Sequence, residues 1–590
     1  MREMIKLFRY LKLKEWLYFL ISLVFIVAQV FLDLKLPDYM SRITMLVETS
    51  GSAMGDIWSA GGMMLLCSLG SLASSIIVCF LAARIAASYS KRLRAEMFNK
   101  VESFSLEEIN AFSTASLITR STNDVTQVQM LIVISLQVVI KAPTMAVWAV
   151  MKIAGKAWQW SLATAITVAL LIIILSIAIV LTFPKFRRVQ WLQDALNQSA
   201  RENLTGIRVV RAYNAEDYQE KKFRKANTEL LENQLFANRT MTLLSPFMSL
   251  SMNCLSMSIY WIGAVLINSI AVESAASVAA RVGIFADMIV FMSYAMQVIM
   301  SFLMIVMVAI VLPRALEAAK RILEVLKTEP KVVSGRLTDA GGVSGEVEFK
   351  NVSFTYPGGS GEVLSDISFK ANKGETVAFI GSTGSGKTTL VNLIPRFYDA
   401  SAGEVLVDGV NVRDYDLDTL YGKISYVSQK AVMFSGTIAE NVAFGANAEP
   451  EKLDRAIEIS RSADFVSELG EGTDAYVARG GTNFSGGQKQ RLSIARALCR
   501  DAEILIFDDT FSALDFKTDR QLRDALKSET EGKTKLIVAQ RIGTIMSADR
   551  IIVLDEGRIA GMGTHKELLK SCEVYRQIAL SQLSEEELAI

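Results

Sequence analysis

Hydrophobic and polar positions are distributed unevenly along this chain of 590 residues. Nearly all of the long apolar runs lie before about Pro313, whereas short apolar strands alternate with helical patterns after about Glu346. A polar stretch punctuated by Pro and Gly, residues 327–345, lies between them and is typical of a linker. We therefore predict an α-helical membrane domain over residues 1–326 and an α/β domain over residues 346–590.

The first half contains six apolar runs, each long enough to cross a bilayer core, which takes about 20 residues of helix. Only a few residues separate the third run from the fourth, so hydropathy alone could merge or split them. Between residues 192 and 231 apolar residues continue at helical spacing among charges, so we expect the membrane helices to extend well beyond the bilayer. The six runs lie near residues 16–36, 57–86, 130–154, 158–182, 243–270 and 282–312.

Positive charge in the connecting segments predicts the orientation of the chain. Lysine and arginine are concentrated in the N-terminal segment and in residues 87–125 and 184–240, whereas the three alternate segments contain only three of them together. Because positively charged segments stay on the cytoplasmic side, we expect both termini and the whole second half to be cytoplasmic. The predicted location is the cytoplasmic membrane, which the chain crosses several times in contact with the lipid bilayer.

Composition mainly excludes other classes of protein. A net charge of +1 gives no electrostatic case for nucleic acid as a partner. The five cysteines are scattered, without the paired spacing of a disulfide framework or a metal site. The N-terminus lacks the short apolar core and cleavage site of a signal peptide, so we expect none. The single histidine, His565, is interpreted as a surface or packing residue.

A phosphate-binding loop follows a short apolar strand at residues 376–380 and precedes a helical pattern at residues 390–394, the setting that such loops require. Glycines let backbone N–H groups approach phosphate oxygens at a helix N-terminus. Lys387 can supply charge to the β and γ phosphates, and the Thr388 hydroxyl can ligate Mg²⁺. We therefore predict that the second half is an α/β P-loop nucleotide-binding domain with ATP and Mg²⁺ as cofactors. The predicted ATP-binding residues of the loop are Gly381, Ser382, Thr383, Gly384, Ser385, Gly386, Lys387, Thr388 and Thr389.

A second apolar strand, residues 504–507, ends in Asp508 and Asp509. A carboxylate that a strand delivers beside the phosphate loop commonly completes such a site, with Asp508 reaching Mg²⁺. The alternative is an ordinary strand end followed by acidic loop residues. The run Asn-Phe-Ser-Gly-Gly-Gln at residues 483–488, shortly upstream, favours the nucleotide site.

With these motifs in series after six apolar runs, the chain resembles the ATP-binding cassette exporters over essentially its full length. The resemblance implies that Tyr356 stacks on adenine and that Gln429 contacts both Mg²⁺ and the transmembrane part. It also implies that two cassettes close head to tail, so that the partner is a second homologous half-transporter and each signature motif covers the ATP held by the other cassette. The residues implied to act on the partner's ATP are Ser485, Gly486, Gly487, Gln488 and Asp515.

Two segments of the first half, residues 105–112 and 212–223, match the coupling helices of these exporters. The resemblance implies that they sit in grooves on the cassettes and transmit cassette closure to the membrane helices. From the charge pattern alone, the alternative is that both are solvated loops.

Two positions depart from the family pattern. The family has glutamate where this chain has Asp509, and aspartate falls about 1 Å or more short, a misplacement that can cost roughly 100-fold in rate. The family also has a histidine where this chain has Gln540, and an amide can donate a hydrogen bond but cannot carry a proton charge. His565 cannot substitute for it, because it lies beyond the next predicted strand. The alternative is neutral drift within a working site.

We predict from both departures a site that holds ATP and hydrolyses it slowly, so that the chain resembles the degenerate-site subunit of bacterial heterodimeric exporters, many of them multidrug pumps. Its intact signature would then complete an efficient site on a different subunit. Two alternatives stay open. One is a homodimeric exporter, and the other is a membrane-bound nucleotide sensor that regulates a partner without transporting cargo.

Charges inside the apolar runs suggest where the substrate passes, because such charges are costly unless they face protein or water. Lys141 lies in the inner half of the third run, and Asp33 and Asp287 lie near outer ends. We expect Lys141 to face the translocation cavity and the aspartates to line an outer gate, at depths too different for either to pair with Lys141. The alternative is that each snorkels to the interface.

Methionines recur along the sixth run at four-residue steps that cover about half of a helix surface. Methionine is flexible and polarizable, which would suit a pocket for small amphipathic or lipophilic substrates. The alternative is lipid contact and helix packing. The methionines considered for the substrate path are Met292, Met296 and Met300, in a series that also includes Met288, Met304 and Met307.

Overall fold

A computed structural model describes residues 6–49, 52–154, 157–271, 275–338, 344–445 and 449–584. The chain forms two compact units. The first comprises residues 1–99 and 118–327, and the second comprises residues 100–117 and 328–590. Part of the predicted linker, residues 339–343, and the side chain of Met307 lie outside the described residues.

Six of the described helical stretches are long and apolar enough to cross a membrane. The third and fourth runs are separate, because one helix ends at Ala154 and the next begins at Trp158. That next helix has 48 residues, about 72 Å at 1.5 Å per residue, which far exceeds the hydrocarbon core of a bilayer. The helices up to residue 327 are α1 (Leu13–Glu48), α2 (Met54–Glu102), α3 (Leu106–Phe112), α4 (Thr114–Thr119), α5 (Val125–Ile134), α6 (Lys141–Ala154), α7 (Trp158–Thr205), α8 (Ile207–Ala212), α9 (Glu216–Asn268) and α10 (Ala275–Lys327).

Helices α1, α7, α9 and α10 share a core in the first unit. Its large members include Trp160, Phe291 and Tyr294, which are almost fully buried. The Trp160 indole N–H donates to the backbone oxygen of Ile259 at 3.2 Å, which satisfies the polar end of a buried ring. A side chain at Gly263 would meet the Met288 sulfur at 2.4 Å, so any larger residue there would displace the buried Met288 side chain.

Two π-helical segments, Arg120–Asp124 and Ser135–Val139, interrupt the third span. Each adds a wider turn, and such turns occur often at functional positions. The second segment ends just before α6, whose first residue is Lys141.

The prediction that Lys141 lies too far in depth from the aspartates to pair is wrong for Asp33. Lys141 Nζ lies 3.5 Å from Asp33 Oδ2, and the Ser71 hydroxyl donates to the other oxygen of Asp33. The predicted depth of Lys141 assumed that the third span starts where its apolar run starts. The helical stretch instead begins at Thr114, so the start of the apolar run does not mark the membrane boundary. A long lysine side chain then spans the remaining distance between α6 and α1.

The second unit contains two main sheets in its described part. The larger has the strand order β12-β11-β3-β10-β9-β6, in which all strands except β12 are parallel to their neighbours. The smaller is antiparallel with the order β2-β1-β4-β5. The strands are β1 (Val347–Phe354), β2 (Leu364–Ala371), β3 (Thr376–Gly381), β4 (Ala402–Val407), β5 (Val410–Asn411), β6 (Ile424–Val427), β7 (Gly436–Thr437), β8 (Tyr476–Val477), β9 (Ile504–Asp508), β10 (Thr534–Val538), β11 (Arg550–Asp555) and β12 (Arg558–Gly563).

The central strands of the larger sheet are buried on both faces, which explains their unbroken apolar sequences. Along β9, Ile504 and Ile506 belong to the core shared with the smaller sheet, whereas Leu505 and Phe507 belong to the core on the opposite face. The helices that cover and extend these sheets are α11 (Lys387–Leu393), α12 (Leu417–Lys423), α13 (Ile438–Val442), α14 (Pro450–Ile459), α15 (Ala463–Ser467), α16 (Gly486–Cys499), α17 (Phe516–Glu529), α18 (Ile542–Ile545), α19 (His565–Ser571) and α20 (Glu573–Leu580).

The described part of the predicted linker packs on the α/β domain. The Gly335 N–H donates to the Tyr415 backbone oxygen at 2.8 Å, and Leu337 forms an isolated parallel bridge with Tyr415. A side chain at Gly335 would meet the backbone oxygen of Asp414 at 2.2 Å, so only glycine allows this approach. This part of the linker is therefore fixed by backbone contacts.

Candidate functional site

Four neighbouring parallel strands end at one edge of the larger sheet and deliver the candidate site residues. The phosphate-binding loop follows β3, and Gln540 follows β10. Asp508 ends β9 with Asp509 directly after it, and Gln429 follows β6. Ligands of open α/β sheets bind outside the carboxyl ends of the strands, so the sheet order alone brings together residues that lie far apart in the sequence.

The backbone of the phosphate-binding loop is shaped by three glycines. Gly384 and Gly386 have positive φ angles of 89° and 92°, which glycine adopts readily. No other atom lies within 4 Å of where a side chain at Gly384 would begin, so the loop is open there, whereas a side chain at Gly381 would meet the Leu554 backbone oxygen at 2.0 Å. The loop then leads directly into α11, whose first N–H groups can face an anion.

Lys387 lies inside this loop and is only 9% exposed. Its Nζ donates to the backbone oxygens of Gly381 at 2.9 Å and Ser382 at 2.8 Å. Burial lowers the pKa of Lys387, while the nearby carboxylates Asp509 and Asp508 oppose that change. The ammonium group is thus held by neutral carbonyls of the loop, in the position where it can pair with phosphate.

Asp508 is 2% exposed and is held by two hydroxyl groups. The Thr388 hydroxyl donates to Asp508 Oδ1 at 2.9 Å, and the Tyr426 hydroxyl donates to Oδ2 at 3.1 Å. Burial raises the pKa of Asp508, and the two hydrogen bonds oppose that rise. A buried carboxylate next to a hydroxyl supplies the hard oxygen ligands that Mg²⁺ prefers, so these residues fit the ion. Thr388 and Asp508 would hold Mg²⁺, which would supply positive charge against the phosphates.

Asp509 joins the two glutamines of the site. Gln429 Nε2 donates to Asp509 Oδ2 at 3.0 Å, and Gln540 Nε2 donates to the same oxygen at 2.8 Å. Asp509 is 7% exposed and has a φ of 47°, in the left-handed region that few residues adopt. The two departures from the family pattern are therefore in direct contact. The shared contact with Gln429 was not predicted from the sequence.

Tyr356 lies at the side of the phosphate-binding loop. Its hydroxyl is 2.9 Å from Thr389 Oγ1, and its ring packs edge-on against Tyr398 with 5.3 Å between centroids. The sequence analysis did not include Tyr398, whose hydroxyl accepts a hydrogen bond from Asn110 Nδ2 at 3.0 Å. Asn110 belongs to α3, the first predicted coupling segment. The two adjacent aromatic residues Phe397 and Tyr398, which follow the loop helix, are the sequence feature that could have identified Tyr398.

The first coupling segment, residues 105–112, belongs to the same compact unit as the nucleotide site. Ser105 caps α3 in a reciprocal arrangement with Glu108, and Glu108 Oε1 accepts from the Lys331 backbone N–H at 3.2 Å. Leu106 packs against the core of the α/β domain. This segment is therefore a packed helix and not a solvated loop.

The second coupling segment, residues 212–223, divides into two parts. The short helix α8 ends at Ala212, and the long helix α9 begins at Glu216. Asn214, with a φ of 52°, makes the turn between them. The predicted segment therefore contains the last residue of α8, the turn at residues 213–215 and the first two turns of α9.

The signature segment forms the N-terminus of the 14-residue helix α16. Ser485 Oγ accepts from the Gln488 N–H at 3.3 Å, and Gln488 Oε1 accepts from the Ser485 N–H at 2.8 Å. Among the described residues, nothing beyond the adjoining backbone lies within 4 Å of where a side chain at Gly486 would begin, so the helix end is accessible to an anion. Asp515 caps α17, and hydrogen bonds from Thr518 hold the pKa of Asp515 below its usual value.

The residues predicted for the substrate path lie in different environments. The Ser256 hydroxyl donates to the Met292 sulfur at 3.3 Å. Met296 and Asp287 are half-buried, and Met300 is exposed. None of these lines the apolar cavity of about 90 Å³ that the described residues of α7, α9 and α10 enclose. Its lining includes Val168, Leu171, Leu244, Met248, Phe302 and Leu303.

His565 is a buried packing residue. Its Nδ1 lies 2.7 Å from the Tyr575 hydroxyl, and the ring is 6% exposed. Burial lowers the pKa of His565. The residue begins α19, beyond β11 and β12, so it does not belong to the strand-end site.

Comparisons with known proteins agree with this architecture. The family model for the ABC transporter transmembrane region matches residues 19–302, and the model for the ABC transporter matches residues 364–512. An uncharacterized ABC transporter ATP-binding protein of Mycobacterium bovis is 37% identical, over 92% of this chain and 93% of that protein. An ATP-dependent lipid A-core flippase of Pseudomonas fluorescens is 33% identical, over 85% of this chain and 81% of that protein.

A solved structure of a bacterial Atm1-family ABC exporter with ATP bound matches the fold with a TM-score of 0.77. The match covers 96% of this chain and 99% of that chain at 22% identity, so it shows the fold alone. The chain belongs to the ABC transporter family. It is an exporter-type half-transporter, with a helical membrane domain and a nucleotide-binding domain of an ATP-hydrolysing transporter, which confirms the predicted fold class.

Proposed function

We propose that this chain is one subunit of a heterodimeric ABC exporter and contributes a slow ATP site. The partner is a second homologous half-transporter that supplies the efficient site. ATP binding closes the two cassettes, the coupling segments transmit closure to the membrane helices, and hydrolysis mainly at the partner-supported site resets the pair. The intact signature of this chain, at residues 485–488, completes the ATP site of the partner.

The observation that carries this proposal is the contact of Asp509 with two amides. An efficient site needs a carboxylate that reaches the attacking water and a partner able to take a proton. Here the carboxylate is one methylene shorter than the glutamate of the family pattern, and both Gln429 and Gln540 donate to one of its oxygens. An amide cannot accept and release a proton as an imidazole does. The residues proposed to bind nucleotide, in contrast, are all of the expected types.

The proposed nucleotide ligands are those at the strand ends. Tyr356 stacks on adenine, the loop residues 381–389 hold the phosphates, and Mg²⁺ is bound by Thr388, Asp508 and Gln429. The aromatic contact of Tyr356, the loop geometry and the oxygen pair of Thr388 and Asp508 support these roles.

We further propose that the chain lies in the cytoplasmic membrane with both termini in the cytoplasm, as the distribution of lysine and arginine favours. The cargo is a small amphipathic or lipophilic compound. Pairing of Asp33 with Lys141 cancels charge inside the membrane unit, which suits cargo without a large net charge. The flippase of Pseudomonas fluorescens, whose name refers to a lipid, is compatible with such cargo.

A comparison of two matched variants tests the asymmetry of the pair. Asp509→Asn in this chain and glutamate-to-glutamine at the equivalent position of the partner are each measured for ATP turnover and cargo transport in vesicles. At saturating Mg·ATP, we expect the partner variant to lose about 100-fold or more in turnover and Asp509→Asn to lose little. Equal losses would contradict the proposal, and so would rapid turnover by this chain alone that Asp509→Asn abolishes.

The same vesicles distinguish the two alternatives. A homodimeric exporter would transport cargo when this chain is reconstituted without a partner. A nucleotide sensor would move no dye or lipid even with its partner and Mg·ATP present. We expect transport only from the pair.

A further inference from the structure

We propose that Asp509 is a positioning residue, whose carboxylate fixes the orientation of the Gln429 and Gln540 amides for nucleotide binding. This inference rests on the proposed slow site, in which Asp509 does not serve as an efficient base. Asp509 instead serves to hold neighbouring side chains in place. The residue keeps Gln429 oriented as a metal ligand and Gln540 oriented as a phosphate donor.

The orientation follows from the chemistry of the groups in contact. An ionised carboxylate only accepts hydrogen bonds, so a side-chain amide must turn its nitrogen toward it. With Gln429 Nε2 3.0 Å from Asp509 Oδ2, the Gln429 oxygen is left available as a ligand for a cation. An amide nitrogen carries two hydrogens. Gln540 Nε2, 2.8 Å from the same Asp509 oxygen, therefore keeps a second N–H for a phosphate oxygen.

Asp509 can impose this orientation because its own backbone is held on both sides. The Asp509 N–H donates to the Val538 backbone oxygen at 3.0 Å, and the Ser512 hydroxyl donates to the Asp509 backbone oxygen at 2.8 Å. These contacts keep a non-glycine residue at a φ of 47°. A backbone of this kind persists only where its surroundings determine it. The carboxylate is therefore a rigid acceptor between two side chains from different strands.

The orientation of the two amides then depends on which side chain is present at position 509. Asparagine has nearly the same shape and tolerates a positive φ, but its amide can present either oxygen or nitrogen to the glutamines. The side-chain amides of both glutamines could then flip, so that the amide oxygen would no longer be oriented as a metal ligand. Glutamate keeps an acceptor-only carboxylate, so it should keep the orientation. Groups that orient metal ligands typically contribute about 10- to 100-fold to metal affinity.

The test measures the affinity of the full-length chain in lipid nanodiscs for ATP, by calorimetry, once with Mg²⁺ and once with EDTA. We expect Asp509→Asn to weaken Mg·ATP binding by about 10-fold or more and to weaken binding in EDTA by a smaller factor, because without Mg²⁺ only the Gln540 contact with phosphate is lost. Asp509→Glu should retain the Mg²⁺-dependent gain. Asp501→Asn is the matched control, because Asp501 also has a positive φ, of 60°, and its carboxylate pairs with Lys533 on the domain surface.

Three outcomes would overturn the inference. Asp509→Asn could leave Mg·ATP affinity unchanged, it could weaken binding equally with Mg²⁺ and with EDTA, or Asp509→Glu could lose as much as Asp509→Asn. The ratio of the two affinities reports on the amides alone. A high turnover rate of this site would instead contradict the proposed slow site, so the two failures are distinguishable.

Discussion

Carboxylates have different partners in the two compact units. In the nucleotide-binding unit, hydroxyl and amide donors hold Asp508 and Asp509, and these donors leave the negative charge in place. In the membrane unit, Asp33 pairs with Lys141 at 3.5 Å and Asp38 pairs with Lys152 at 2.7 Å, so that the charges cancel. Asp38 also accepts from the Tyr294 hydroxyl at 2.6 Å.

The difference indicates where a ligand charge is expected. A strand edge that keeps uncompensated carboxylates is prepared for a cation such as Mg²⁺ with its nucleotide. A helix bundle surrounded by lipid cannot keep such charge, since an unpaired ion there is costly. The strand-end carboxylates of the nucleotide-binding unit are therefore available to a cation, whereas Asp33 and Asp38 of the membrane unit are already paired with lysines. Three predictions test this comparison, in order of decreasing effect.

The largest effect is expected from Lys387→Ala. Removing one partner of a buried charge pair costs about 2–5 kcal/mol, so ATP binding should weaken by roughly 30- to 5000-fold, measured at equilibrium on the purified chain. Lys373→Ala, which changes an exposed lysine in the turn before β3, is the control. Comparable binding by Lys387→Ala and wild type would mean that the strand edge is not where the phosphates bind.

Breaking the pair in the membrane unit should have an intermediate effect. Lys141→Met leaves Asp33 without its cation, and an unpaired charge in a span costs up to about 2.5–3.5 kcal/mol, the value at the centre of the bilayer. We expect a lower apparent Tm of the chain in detergent. The double variant Lys141→Met with Asp33→Asn should recover most of the loss, because no charge is then left unpaired. If the double variant is as unstable as Lys141→Met, the 3.5 Å contact does not neutralise charge.

The smallest effect is expected in the pH dependence of stability, through the buried His565 of the nucleotide-binding unit. Burial lowers the pKa of His565 below its usual 6.5. As the pH falls below about 6.5, the unfolded chain takes up this proton before the folded chain does, so stability is present above that pH and is lost below it. His565→Asn cannot be protonated but can still bond to Tyr575. We expect its apparent Tm to fall less on acidification, by about 1–3 °C. Identical pH profiles would contradict this assignment.

Local patterns in the sequence were sufficient for much of the fold. The apolar runs predicted six spans because a bilayer imposes a minimum helix length on each. The strand before the phosphate loop and the strand before Asp508 were recognisable because both faces of a central parallel strand are buried and leave continuous apolar sequence. The helix predicted at residues 390–394 begins three residues earlier, so that Lys387 and Thr388 lie in its first turn.

Contacts between distant parts of the chain were not predictable in the same way. Gln429 and Asp509 are 80 residues apart, and they meet only because β6 and β9 are neighbours in the sheet. Tyr398 and Asn110 are 288 residues apart and meet through docking of α3. The Asp33–Lys141 pair was not predicted, because the depth of Lys141 depends on where the helical third span begins. That span begins with α4, before the start of the apolar run.

The sequence by itself thus determined the order of the elements, the nucleotide chemistry and the two unusual residues of the site. Only the tertiary structure decided which side chains share a hydrogen bond or cancel a charge. Local periodicity and motif spacing depend on a few consecutive residues and reflect burial and backbone geometry. Side-chain pairing depends on strand order and helix packing, which bring together residues that no local pattern connects.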